Sequence, residues 1–177
     1  MTHLSSPNAM QSLIDAKNQW LYDQVDVQFP TPESLQGLAV YQTLNQALPN
    51  EIFTAQCQVS ENHLAAIYLV DFHRLTIMFA LLQATRCQQP EQQALLVEFF
   101  TQIIYSPPCS LYLGFVDAQP IAATIVTSDG SSLLISDIVM QHNPIFTSSD
   151  EFASAVVVKY QQAHSLSGSI YIEHSQP

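Results

Sequence analysis

The sequence predicts an α/β domain, and three observations carry that expectation. Three short β-strands follow one another between residues 110 and 140, two helix-patterned stretches precede them, and a further helix and strand come after. The strands read as 110–116 (SLYLGFV), 120–127 (PIAATIVT) and 133–140 (LLISDIVM). Their joints, DAQ at 117–119 and SDGSS at 128–132, have the chemistry of tight reversals.

Each element can be justified in order. Residues 8–24 place Met10, Leu13, Ile14, Ala16, Trp20 and Leu21 on one face at helical spacing. Residues 25–29 alternate briefly and read as a strand before the break at Pro30 and Pro32. Thr31 followed by Pro32 and Glu33 reads as an N-cap with proline at the first helical position, opening a helix to about Ala47. Residues 52–59 alternate and predict a strand. Residues 64–70 suit a strand or, because the run is continuous and apolar, a helix. A buried helix is expected from Asp71 or Phe72 to Cys87. Pro90 then opens another, whose stripe is Leu95, Leu96, Phe99, Phe100, Ile103 and Ile104. After the three strands, residues 147–164 predict a helix and 169–173 a final strand.

Composition bounds the function. The chain has 177 residues, 47% of them apolar and only 11% charged, which suits a packed domain rather than a disordered one. Four basic residues stand against fifteen acidic ones, a formal charge of −11. Nucleic-acid affinity rests on neutralising phosphates with Lys and Arg, so no nucleic-acid partner is expected. An anionic membrane surface fails for the same reason. The expected partner is an unknown small molecule or protein, with a homo-oligomer possible. Cys57, Cys87 and Cys109 are odd in number and lack metal spacing, so free thiols in a reducing compartment are expected. With no basic flank and apolar run at the start, and no apolar stretch long enough to span a bilayer, the expected location is cytoplasmic.

The order from about Ala65 to Glu173 (strand, two helices, three antiparallel strands, helix, strand) resembles the GNAT superfamily of acyl-CoA N-acyltransferases. The phrase LGFVDAQPIAA at 113–123 has that family's cadence across the turn between its second and third strands. The resemblance implies a mixed, mostly antiparallel sheet with helices on both faces. It divides the chain into an N-terminal extension, 1–64, packed on a GNAT-like core, 65–177. It also implies a strand at 133–140 whose backbone, at Ile138 and Met140, would pair with the pantetheine of acetyl-CoA. The family's Q/R-x-x-G-x-G/A loop would coincide with residues 148–153, making Ser148, Ser149 and Ala153 cofactor-facing. Asp137 would then be a general base, and Tyr171 (or Tyr160) would stand in for the catalytic tyrosine.

The chain departs from the family in two places. Ser148 replaces the Gln/Arg of the loop, and Glu151 replaces its first glycine. Asp150 and Glu151 would satisfy the helix dipole internally, and Ser148 with Glu151 reads as a capping box, where the family has glycines that let backbone N–H groups close around a pyrophosphate. Beyond the final strand the family continues with a helix and two strands, whereas here roughly sixty extra residues precede Ala65. The expectation is that this N-terminal segment packs where those elements would lie.

Other residues admit two readings. Asp71, His73 and Arg74 form an acid–base pair with an arginine clamp, or a helix cap with a paired arginine. Asp137 is a base, a ligand for loop N–H groups, or a solvent-facing residue with Ser136 inside. Cys109 reads as structural, and His142 as part of a turn. Two functions stay open. One is a degenerate GNAT-related module that has lost ordinary acetyl-CoA-dependent transfer, implies no particular cofactor, and acts by binding or regulation. The other is an active N-acetyltransferase that uses acetyl-CoA on a small amine or cationic substrate.

Overall fold

The computed structural model describes residues 7–54 and 58–175. In chain order the elements are α1 (Pro7–Asp23), α2 (Pro32–Leu44), β1 (Asn50–Ile52), α3 (Glu61–Ala65), β2 (Ile67–Leu69), α4 (His73–Ala84), α5 (Pro90–Phe100), β3 (Cys109–Val116), β4 (Gln119–Ser128), β5 (Leu133–Met140), α6 (Ser149–Gln161) and β6 (Ile170–Glu173). The strands form one six-stranded sheet in the order β1-β6-β5-β4-β3-β2. Every neighbouring pair is antiparallel except β5 and β6, which run parallel with α6 as their crossover. The fold class is therefore α/β with a mixed, mostly antiparallel sheet, as the sequence predicts.

Local chemistry explains the hairpins. Asp117 and Ala118 both have positive φ, 47° and 64°, so β3 and β4 are joined by a tight reversal whose twist suits the strands. At the next joint Asp129 Oδ1 accepts hydrogen bonds from the N–H groups of Ser131 and Ser132, and Gly130 supplies a φ of 93°.

Two apolar layers cover the sheet. On one face Trp20 and Leu21 of α1, Tyr41 of α2, Phe79 of α4 and Phe99 and Phe100 of α5 pack on Leu111, Leu113, Ala123 and Ile125. On the other, Phe152, Ala153, Val156 and Tyr160 of α6 pack on Tyr112, Ala122, Leu133 and Ile135. A smaller cluster joins Leu13 and Ile14 of α1 to Leu134 and Tyr171. Helix α2 lies very close to α5: a Cβ added at Gly37 would stand 2.0 Å from the Leu95 carbonyl oxygen.

Several expected boundaries are corrected. Residues 25–29 are a turn rather than a strand. The N–H groups of Val25 and Asp26 bond back to the Tyr22 carbonyl, which continues the end of α1. Helix α2 begins at its Thr31 cap as expected but stops at Leu44 rather than Ala47. The strand expected at 52–59 is only Asn50–Ile52, with the Phe53 N–H still bonded to the Ile170 carbonyl of β6; residues 55–57, including Cys57, lie outside the described residues. The run at 64–70 is divided, its start closing α3 and its remainder forming β2.

Candidate functional site

β5 and β6 pair only as far as Ile135 and Ile172, after which the two strands part. Just beyond that point β5 carries a bulge. The register with β4 shifts between Ala123 and Ile125, and Asp137 takes a φ of 54°. The extra residue turns the Asp137 side chain to the same face as Ser136, whose Oγ donates to Asp137 Oδ2 at 2.8 Å.

That face is the one covered by α1, α2 and α4. Lys17, on α1 and only 1% exposed, donates through Nζ to Asp137 Oδ2 at 3.2 Å and to Glu173 Oε1 at 2.5 Å. The ammonium thus ties two carboxylates that hang from β5 and β6 immediately after their backbone pairing ends. Asn45, at the C-cap of α2, donates to Asp137 Oδ1 at 2.9 Å, and Arg86 donates to the same oxygen at 3.3 Å. Arg86 also donates to Asn45 Oδ1. Gln83 of α4 donates to the Asp137 backbone carbonyl at 2.7 Å, so the bulge is satisfied at side chain and main chain.

The electrostatics follow from this packing. Burial would raise the Asp137 pKa, but Lys17, Arg86 and the hydrogen bonds from Asn45 and Ser136 outweigh it and hold the carboxyl well below the usual carboxylate range. Burial would lower Lys17, yet Asp137 and Glu173 hold its ammonium above the ordinary lysine value. At Glu173 burial prevails: its pKa is raised despite the ammonium beside it. A carboxylate held this firmly in its charged form is a weak proton acceptor.

The other sequence-predicted residues are dispersed. Tyr171 is buried in the small cluster beneath α1 with Leu13 and Ile14. Ile138 and Met140 lie on β5 past the bulge and are half-buried. Because the Gln141 N–H bonds to Ile121 on β4, strand alternation directs the backbone groups of Ile138 and Met140 away from β4, toward the parting.

Ser148 is the N-cap of α6, accepting from the Glu151 N–H at 3.2 Å. The Glu151 carboxylate accepts from the N–H and hydroxyl of Thr147 at 2.6 and 2.9 Å, so the box closes one residue earlier than expected. Those two bonds hold the Glu151 pKa below its ordinary value. Ser149 is exposed in the first turn, while Ala153 is fully buried in the core against the sheet.

Asp71 neither caps α4, whose N-cap is Phe72 without a side-chain bond, nor pairs with Arg74. Asn143 organises the turn after β5 through the N–H groups of Ile145 and Phe146, while His142 is exposed beside it. Burial pushes the Cys109 thiol up to about 12, and Cys87 is likewise a buried free thiol. No group of His, Cys, Asp and Glu suited to a metal ion occurs among the described residues, nor is any helix there long and apolar enough to cross a membrane.

Lys17 and Arg86 were missed by the sequence reading, because their partners lie 120 and 51 residues away in the chain. One signal was present for Lys17. It sits in the middle of the apolar face of α1, four residues from Leu13 and Leu21 and three from Ile14 and Trp20. A lysine there is buried if the helix packs by that face.

No family model matches the chain, and no curated protein matches it. Among solved structures it is similar to a GCN5-related N-acetyltransferase from Kribbella flavida, with 12% identity and a TM-score of 0.41 over 72% of this chain and 48% of that one. The chain thus spans about half the length of that neighbour.

Proposed function

We propose that this chain is a GNAT-related binding or regulatory module that has lost ordinary acetyl-CoA-dependent transfer. The observation that carries the reading is Lys17, whose buried ammonium bridges Asp137 and Glu173 where β5 and β6 part. In the resemblance set out above, that parting is where the pantetheine arm would lie. Here one face of it is tied by an ion pair, and the bulge carbonyl is already bonded to Gln83. The start of α6 supports the same reading: Ser148 and Glu151 use its nearby donors, and a pyrophosphate would meet the Glu151 carboxylate there. Asp137 and Tyr171 then serve the architecture of the α1 face rather than proton transfer.

A second reading, an N-acetyltransferase acting on a small amine, is favoured by one observation. The backbone groups of Ile138 and Met140 still face the parting, as a pantetheine partner's would. Thermal unfolding with acetyl-CoA decides between the two. A ligand at 100 times its dissociation constant stabilises by about 2.7 kcal/mol, which is a readily measured rise in Tm. No rise is expected; a saturable one would establish cofactor binding and reverse the reading.

A further inference from the structure

At the opposite end of the sheet, where β2 and β4 finish and β3 begins, lies a cleft of about 490 Å³, a size suited to a small-molecule ligand. Trp20, Tyr105, Tyr160, His164 and Asp71 are among its lining residues. Most of their polar atoms are already used. Trp20 Nε1 donates to Ser106 Oγ at 3.0 Å, and the Tyr105 hydroxyl is bonded to Thr76. The Cys109 thiol, also among the lining residues, is bonded to Thr127 and stays neutral.

Of the groups that remain, the Ser110 and Tyr160 hydroxyls can donate or accept, and two others accept. His164 stacks on Tyr160 at 4.2 Å between ring centroids, and its Nδ1 lies 3.2 Å from the Tyr160 carbonyl oxygen. A carbonyl only accepts, so in the neutral ring Nδ1 carries the proton and Nε2 is left as an acceptor. Asp71 is exposed, caps nothing and pairs with no cation. None of the four Lys and Arg residues lines the cleft: Lys17 and Arg86 are committed to Asp137, and Lys159 reaches the Leu64 carbonyl. An anionic ligand would meet the Asp71 carboxylate with no Lys or Arg side chain to balance it.

We propose that this cleft binds a small organic ammonium ion bearing an apolar group, with the charge at Asp71 and the apolar part against the exposed side chains of Tyr105 and Leu69. Aromatic rings attract a cation as well as packing on its hydrocarbon, and the carboxylate supplies the charge partner. The formal charge of −11 favours approach of a cation from a distance. The proposal rests on the binding-module reading and names its ligand class.

Trp20 is the chain's one tryptophan, so its fluorescence reports on this cleft directly. Benzylammonium is expected to give a saturable change in Trp20 emission, with benzyl alcohol binding about tenfold more weakly because it lacks the charge. Asp71→Asn should weaken benzylammonium by a similar factor while leaving the urea midpoint where it was. Absence of a saturable change at the highest soluble ligand concentration would overturn the proposal. So would equal binding of the alcohol in the natural chain, or unchanged binding in Asp71→Asn. These outcomes are separate from the acetyl-CoA titration: cofactor binding would reverse the loss of transfer without touching the cleft, and silence from Trp20 would remove the cleft without restoring the cofactor.

Discussion

The two ends of the sheet treat charge in opposite ways. At the β5–β6 parting, four ionic groups (Lys17, Arg86, Asp137 and Glu173) are joined by ion pairs and flanked by Asn45, Ser136 and Gln83. At the far end, an aromatic cleft keeps Asp71 in solvent with no pairing at all. Burial costs a charge several kcal/mol unless partners compensate, so the first end is committed to the folded state. An exposed, unpaired carboxylate costs the fold nothing and remains available to a ligand. The difference separates a structural charge from an available one more clearly than residue type does.

The largest effect that would test this contrast is Lys17→Met. Removing the ammonium leaves Glu173 buried without its cation and Asp137 with Arg86 alone. A loss of about 3–5 kcal/mol in urea unfolding is expected, since breaking a buried pair strands its partner. A loss below about 1 kcal/mol, the range of exposed pairs, would mean that the network is incidental. The comparison sharpens if Glu173→Leu is added to Lys17→Met. With both charges gone the double variant should recover at least half of the lost stability, because a buried ion pair replaced by apolar groups is often neutral or better.

A smaller effect is expected in the pH dependence. The folded-state pKa of Glu173 is raised, so the folded state takes up a proton before the unfolded state does. Its contribution is therefore present at low pH and is lost as pH rises from the ordinary glutamate value through the raised one. Asp137 has the opposite sign: its contribution is present above the ordinary aspartate value and is lost as pH falls below it. Relative to the natural chain, Glu173→Gln should therefore gain stability as pH rises through that upper window. Urea midpoints of the two proteins at a series of pH values check it, and parallel curves would contradict the assignment. The smallest effect belongs to the other end, where Asp71→Asn should change stability by less than about 0.5 kcal/mol.

Much of the architecture was legible where local chemistry decides it. The Thr31 and Ser148 caps, the proline at the start of α5 and the two hairpin joints all fall where the sequence placed them. What failed depended on distant partners. The alternation at 25–29 would have put Val25, Val27 and Phe29 on one strand face, yet only Val25 is buried and the other two are in solvent. β1 pairs with β6 over three residues only, a limit that its own alternation does not reveal. Asp137 was singled out as a buried carboxylate in an apolar strand, but which of its readings applies depended on a bulge and on helices far away in the chain. The cleft was less visible still, because Trp20, Asp71, Tyr105 and His164 come from four separate segments.

The buried network also has a consequence for the outside of the molecule. It takes two of the four basic and two of the fifteen acidic side chains, so thirteen acids face only Arg74 and Lys159 beyond it. Such a surface repels itself, and neighbouring molecules repel one another through it. Moderate salt, which shortens the reach of those fields to about 10 Å at 0.1 M, should therefore firm the fold while bringing copies of the protein closer to association.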